Sequence, residues 1–136
     1  MSASQVTDAR VADYFEMTDS QFDTLICLMN GLGFIGKKDR LKDFLSQADK
    51  LLKPEGQIIL DSSDVKYLYE GEELPKDKYF GEVSFQYEFK EKKGEWFDWV
   101  YFDKDTLALE ADALGWYVYF LHSDENGQYL ARLIRK

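Results

Sequence analysis

The chain has 136 residues, 45% hydrophobic and 16% aromatic, with two prolines and a formal net charge of -9. That length suits one domain with a sizeable core, and the acidic balance excludes sequence-independent binding to nucleic acid, which needs clustered Lys and Arg. The longest apolar runs, LICLM and WYVYFL, fall short of the roughly 20 residues that cross a bilayer, and the amino terminus lacks a signal-peptide pattern. No membrane partner and a cytoplasmic location are therefore expected.

Residues 1–20 are polar and small apart from Val11, Ala12, Tyr14, Phe15 and Met17, and read as a lead-in segment lying on a sheet. Residues 22–29 are almost continuously apolar, as in a parallel strand buried on both faces. The single cysteine, Cys27, falls inside that strand and reads as a small buried hydrophobe. The strand ends at Asn30-Gly31, and glycines 31, 33 and 36 predict a flexible loop able to approach a ligand or adopt positive φ. From 38 to 53 the apolar positions Leu41, Phe44, Leu45, Ala48, Leu51 and Leu52 recur with a 3.6-residue period, which predicts an amphipathic helix. Pro54 and Gly56 should stop it and turn the chain into a second buried strand, 57–61. Strand, helix and strand make a βαβ unit, whose strand ends are where ligands of open α/β sheets sit. The polar run Asp61-Ser62-Ser63-Asp64 should leave the second strand on the same edge as Asn30.

Residues 65–81 show no sustained period and predict a long irregular connection, of the kind used as lids or binding loops. Strict alternation over 82–90 puts Val83, Phe85, Tyr87 and Phe89 on one face. A turn at 91–94 and a strand at 95–102 complete a hairpin. Asp103 or Asp105 should cap a short helix with Leu107, Ala111 and Leu114 inward and Gly115 at its end. Strands at 116–121 and 128–134, joined through a turn at 123–127, predict a carboxyl-terminal antiparallel hairpin packed on the α/β core.

Three other features offer chemistry. His122 is the only histidine and precedes a turn, with no Ser-His-Asp or Cys-His arrangement to join. Asp61, Asp64 and Glu70 offer oxygen ligands, but acids clustered in an acidic chain read as a solvated edge, so no metal is expected. Trp96, Phe97, Trp99, Tyr101 and Trp116 suit either an aromatic binding surface or core.

The order of elements, with FDTLICLMNGLGFIG as one strand and loop and LLKPEGQIILD as the post-helix turn and next strand, resembles the carboxyl-terminal half of class I S-adenosylmethionine-dependent methyltransferases. GW at the start of one late strand and YLARL in the last suit the final two strands of that fold. The resemblance implies an α/β fold. Its sheet would be a partial Rossmann-like one, with two parallel strands, their crossover helix and an antiparallel carboxyl-terminal pair, and the aromatic hairpin 82–102 would be an insertion in a single truncated domain spanning 1–136. It also implies S-adenosylmethionine as cofactor. Val11-Ala12-Asp13-Tyr14 resembles the family's adenine-contacting motif, which would make Asp13 and Tyr14 neighbours of adenine. Asn30 and Gly31 would line the methyl-transfer side, and Asp61, Ser62 and Tyr67 the substrate side.

The chain departs from the family in lacking the glycine-rich loop after the first strand and the ribose-binding acid after the second. Two classes of function follow. One is small-molecule methyl transfer, with the chain inactive alone, as a fragment or as half of a split enzyme completed by an amino-terminal half. The other is a non-catalytic interaction module, a homodimer formed through the exposed edge of the first strand.

Overall fold

The computed structural model describes residues 13–18 and 22–136. Val11, Ala12 and most of the expected lead-in segment lie outside the described residues. The strands are β1 (Phe22–Cys27), β2 (Leu52–Ser63), β3 (Glu82–Phe85), β4 (Glu88–Phe89), β5 (Lys92–Lys93), β6 (Phe97–Val100), β7 (Trp116–Ser123) and β8 (Gln128–Arg135), and the helices are α1 (Leu41–Leu51) and α2 (Lys104–Ala113). The main sheet has the order β1-β2-β8-β7. Its β1 and β2 pair in parallel, and α1 connects them, as the order of elements predicts, but β1 ends at Cys27, short of Met29, and is not buried on both faces. The carboxyl-terminal pair is part of this sheet, as the family resemblance implies, and not a separate hairpin laid on the core: β8 inserts between β2 and β7 and is antiparallel to both.

One face of this sheet carries the core. Phe44, Leu45 and Ala48 from α1 meet Ile58 and Leu60 of β2 and Ala131 and Leu133 of β8, with Leu107 and Ala111 of α2 and Trp116 of β7 completing the cluster. The leucine, isoleucine and phenylalanine side chains among these contribute roughly 1.5–3 kcal/mol each when fully buried. Phe44 and Leu60 reach 0% exposure. The alternate positions on the same strands face the other way, and there Ile26 is 63% exposed and Tyr117 and Tyr119 are each 48% exposed. At the centre of that face Arg132 Nε donates to Gln57 Oε1 at 2.6 Å, and Gln57 Nε2 donates to Thr24 Oγ1 at 3.1 Å.

Several local expectations need correction. The helix ends at Leu51, short of Lys53, and β2 begins at Leu52. The parallel register runs from Phe22↔Leu52 directly to Thr24↔Gln57. The Lys-Pro-Glu-Gly segment is thus looped out of the ladder beside β1. Proline has no N–H to give a ladder, and a Cβ on Gly56 would come within 2.8 Å of Leu52 Cβ. At its far end β2 continues through Asp61, Ser62 and Ser63, which pair with Leu130, Tyr129 and Gln128 of β8. These polar residues are in the ladder, so they do not exit the strand.

The hairpin expected over 82–102 is present, with β3 pairing β6 and β4 pairing β5. Its turn sits at Lys90 and Glu91, both at positive φ (50° and 66°), earlier than the predicted 91–94. Two left-handed residues match the twist of a tight hairpin. Residues 65–81 contain one 3-10 turn, Lys66–Tyr69, in an otherwise irregular connection. Leu114, predicted inward, is the C-cap residue of α2 and 40% exposed. No helix among the described residues is long and apolar enough to cross a membrane.

Asp103, not Asp105, caps α2, its Oδ2 accepting from Thr106 N–H at 3.2 Å. Tyr79 braces this cap twice, its hydroxyl donating to Asp103 Oδ1 at 2.5 Å and accepting from Asp103 N–H at 3.0 Å. Burial alone would raise the Asp103 carboxyl, but hydrogen bonds from Thr106 and Tyr79 and the nearby Lys66 hold it below its ordinary range. A carboxyl depressed in the folded state adds stability above its unfolded pKa of about 3.9, and that stability is lost as pH falls through the lower folded value. Tyr79→Phe removes both bonds and should cost about 1–3 kcal/mol in urea unfolding at pH 7. The gap between variant and wild type should narrow near pH 3, and a gap independent of pH would count against the carboxylate as the partner that matters.

Candidate functional site

Apolar β1 runs out at Cys27, and the chain reverses through two consecutive left-handed residues, Met29 (φ 59°) and Asn30 (φ 57°). Asparagine tolerates this conformation because its short amide can bond locally, whereas methionine has no such compensation. Three neighbours hold Asn30. Its N–H donates to Asp61 Oδ1 at 2.6 Å, its Oδ1 accepts from Ser63 Oγ at 2.9 Å, and its backbone oxygen accepts from Trp99 Nε1 at 3.0 Å. The ends of β1 and β2 and the hairpin strand β6 thus meet at one residue. Met29, 88% exposed, projects beside it.

The glycines that follow do not form a flexible loop. Gly31–Ile35 is a 3-10 helix with Leu32, Gly33 and Ile35 buried. The N–H groups of Gly33 and Gly36 are used within it, donating to Asn30 O at 3.0 Å and Gly33 O at 2.9 Å. Gly31 has ordinary space around it, its nearest neighbour being Cys27 Cβ at 3.6 Å. Gly33 has none, since a Cβ there would lie 1.9 Å from Trp99 Nε1. The glycine that the site requires is therefore Gly33, which seats the Trp99 ring.

Cross-strand pairs Val83↔Trp99 and Phe85↔Phe97 put these side chains on one face of the hairpin. That face and the Met29-Asn30 turn enclose an open groove of about 390 Å³, lined by Phe85, Tyr87, Phe97, Trp99 and Tyr101 together with Gln86. Between binding surface and core, these aromatic residues divide. Phe97, Trp99 and Tyr101 line the groove, Trp96 is 67% exposed, and Trp116 is core at 4% exposure. Burial, reinforced by Tyr67 and Tyr87 nearby, raises the Tyr101 hydroxyl above its ordinary value.

The other residues singled out from the sequence fall in different places. Asp13 is exposed and caps the short Tyr14–Glu16 3-10 turn, accepting from Phe15 N–H at 2.9 Å. Tyr14 stacks on Phe44 with centroids 4.9 Å apart and donates from its hydroxyl to Phe44 O at 2.7 Å. It reaches the 3-10 turn after Asn30 through Phe34, whose ring is 5.6 Å away. Asp61 belongs to the Asn30 cluster, and burial, with the Asp61 charge adding to it, pushes the Cys27 thiol up to about 11. Ser62 faces the core at 2% exposure and accepts from Phe102 N–H at 2.9 Å, so it lines no open surface. Tyr67 lines a separate hollow with Ser63, Glu125, Asn126 and Gln128. His122 is exposed on β7. Among the described residues no group of His, Cys, Asp or Glu is placed to hold a metal ion.

Met29, Gly33, Gln86 and the groove-facing side of the hairpin were not assigned to the site from the sequence. Alternation places Val83 and Phe85 on one face, but it does not hold over all of 82–90: the strand breaks at 86–87, so Gln86 and Tyr87 both line the groove, and which way that face points depends on the Trp99–Asn30 contact, between residues far apart in the chain.

No family model matches the chain, and no curated protein sequence does. Solved structures do. A SAM-dependent methyltransferase from Bacteroides fragilis, in complex with S-adenosyl-L-homocysteine, is 36% identical, with a TM-score of 0.84 over 96% of this chain and 55% of that one. DhpI, in complex with SAH, is 19% identical (TM-score 0.65; 93% of this chain, 53% of that one). The CcbJ methyltransferase from Streptomyces caelestis is 13% identical (TM-score 0.61; 92% and 62%). The latter two show the likeness of fold alone. The chain spans little more than half the length of these proteins.

Proposed function

We propose that this chain, which has the fold of the S-adenosylmethionine-dependent methyltransferases over about half their length, forms the acceptor-side wall of a small-molecule methyltransferase site and is inactive alone. The observation that carries this reading is the Met29-Asn30 turn. Two left-handed residues stand at the carboxyl end of a parallel strand, Met29 exposed and Asn30 held by three partners, and open onto a groove; strain of this kind collects at functional sites. S-adenosylmethionine would supply an electrophilic methyl group on a sulfonium. What the protein adds in such a reaction is mainly positioning of the acceptor against that methyl.

In this reading Asp13 accepts from the adenine amine, with Tyr14 beside it. Asn30 and Gly31 flank the transferring methyl, and the hairpin 82–102 is an insertion that holds the acceptor. Asp61 acts by fixing Asn30. The remaining wall comes from an amino-terminal portion, in the same polypeptide or on a separate chain. The glycine turn at 31–36 does not replace that wall, because the N–H groups of Gly33 and Gly36 are already bonded within the turn. We assign the chain to the cytoplasm on the same reading.

The test joins this chain to the amino-terminal portion of the Bacteroides fragilis methyltransferase and compares fusion and lone chain by calorimetric titration with S-adenosylhomocysteine. Binding by the fusion and none by the lone chain is expected. Tight stoichiometric binding by the lone chain would overturn the incomplete cleft, and a folded fusion that binds nothing would overturn the assignment of this wall. Supplying the amino-terminal portion as a separate polypeptide tests the split-enzyme form.

A second reading, a homodimeric interaction module without catalysis, is favoured by the apolar exposure of Ile26 on β1 and of Tyr117 and Tyr119 on β7. An apolar strand edge and sheet face of this kind invite pairing. Light scattering at micromolar concentration should then report a dimer, and a strictly monomeric chain would count against it.

A further inference from the structure

The groove beside Met29 and Asn30 has aromatic rings in two orientations. Phe97 lies near-parallel to Phe85 (centroids 5.8 Å apart, planes at 29°) and to Tyr87 (5.2 Å, 31°). Trp99 stands across Phe97 at 89° with centroids 6.5 Å apart, and Tyr101 stands across Phe85 at 72°, also 6.5 Å apart. Two sets of rings at near right angles form a corner. Ring faces carry the negative end of the aromatic quadrupole, so a compact cation in such a corner is attracted by more than one face.

Charge points the same way. No Lys or Arg lines the groove, whose polar groups are the Asn30 and Gln86 amides and the tyrosine hydroxyls. The chain as a whole carries -9, which raises the local concentration of cations and lowers that of anions. A phosphate or carboxylate would find no counter-charge on this lining. A neutral apolar ligand would gain burial but leave the ring electrostatics unused.

We propose that this groove binds its ligand through an alkylated ammonium group, the rings taking the cation and the tyrosine hydroxyls and Gln86 Oε1 taking the polar remainder, since Gln86 Nε2 already donates to Gly94 O at 2.9 Å. The proposal deepens the acceptor-side reading by giving the ligand a chemical class, and it rests on that reading for the ligand's role only. Binding itself needs no cofactor and no amino-terminal portion.

The test is titration of this chain with choline and with its neutral isostere 3,3-dimethylbutan-1-ol, followed by the nuclear magnetic resonance shift of the Trp99 indole N–H. Choline should give a saturable shift at Trp99 and bind about ten times more tightly than the alcohol, the scale of a partly desolvated cation–π contact. Tyr87→Leu should weaken choline severalfold and the alcohol much less. Tyr87 is 76% exposed, so this substitution spares the fold. Equal affinity for the two probes, absence of saturation at Trp99, or a shift confined to Trp96 or Trp116 would overturn the proposal. Loss of homocysteine-nucleoside binding by the fusion described above, with choline binding intact, would overturn the methyltransferase reading alone.

Discussion

An alanine at Gly33 should detach the aromatic hairpin from the end of β1. The added Cβ would lie 1.9 Å from Trp99 Nε1, 2.1 Å from Cδ1 and 2.4 Å from Cε2, so the rigid indole itself must move. It cannot move and keep its hydrogen bond to Asn30 O, which is 3.0 Å long. Overpacking of this kind costs about 1–3 kcal/mol and the lost bond about 1 more. Urea unfolding should therefore show Gly33→Ala less stable by about 2–4 kcal/mol, with the Trp99 indole resonance displaced. The double variant Gly33→Ala/Trp99→Leu separates the collision from any general intolerance of alanine, because neighbouring residues that clash do not add. Its loss should fall well below the sum of the two single variants. A Gly33→Ala protein within about 0.5 kcal/mol of wild type, the scatter of ordinary surface changes, would mean that Trp99 does not sit on Gly33. Choline binding in the groove should fall with the same substitution, since Trp99 forms one of its walls.

What the sequence made legible follows the reach of each signal. The stripe Leu41, Phe44, Leu45 and Ala48 specifies α1 because helical periodicity is local, and Phe44, Leu45 and Ala48 are indeed core. Alternation specifies the hairpin, and Asn30 at the end of an apolar run marks a turn. The polar letters of Ser62 and Ser63 read as leaving the strand at Asp61 because the ladder that keeps them in β2 comes from β8, far along the chain. Ser62 is buried because its hydroxyl accepts from Phe102 N–H, a partner that no window around residue 62 contains. The carboxyl-terminal strands alternate in the same way whether they lie on the sheet or inside it, so their insertion beside β2 is a property of tertiary pairing. The glycines at 31, 33 and 36 look alike in sequence. Only a ring from residue 99 makes Gly33 the constrained one, and Gly36 alone among the three has positive φ, at 82°.

The strain at Asn30 should be separable from its hydrogen bonds by comparing valine with glycine at that position. Both substitutions remove the amide oxygen that accepts from Ser63 Oγ at 2.9 Å, and Ser63 is only 8% exposed, so each leaves its hydroxyl short of a partner. That loss is worth about 1–3 kcal/mol. Only valine adds a branched Cβ to a backbone at φ 57°, a left-handed conformation that costs ordinary residues about 1–2 kcal/mol and β-branched ones more. Asn30→Val should therefore unfold in urea with about 3–4 kcal/mol less stability than wild type, and Asn30→Gly with about 1–2 kcal/mol less. Equal losses would show that the turn relaxes out of the left-handed region when the amide is removed. The same comparison bears on function. Met29 beside it is also left-handed, at φ 59°, and has no polar side chain to compensate. Its conformation therefore depends on Asn30 being fixed by Asp61, Ser63 and Trp99. If Asn30→Gly keeps the fold but lets Met29 relax, the groove loses its rim without losing its rings. Choline binding should then survive, while S-adenosylhomocysteine binding by the fused protein falls if, as proposed above, the turn shapes the methyl-transfer side.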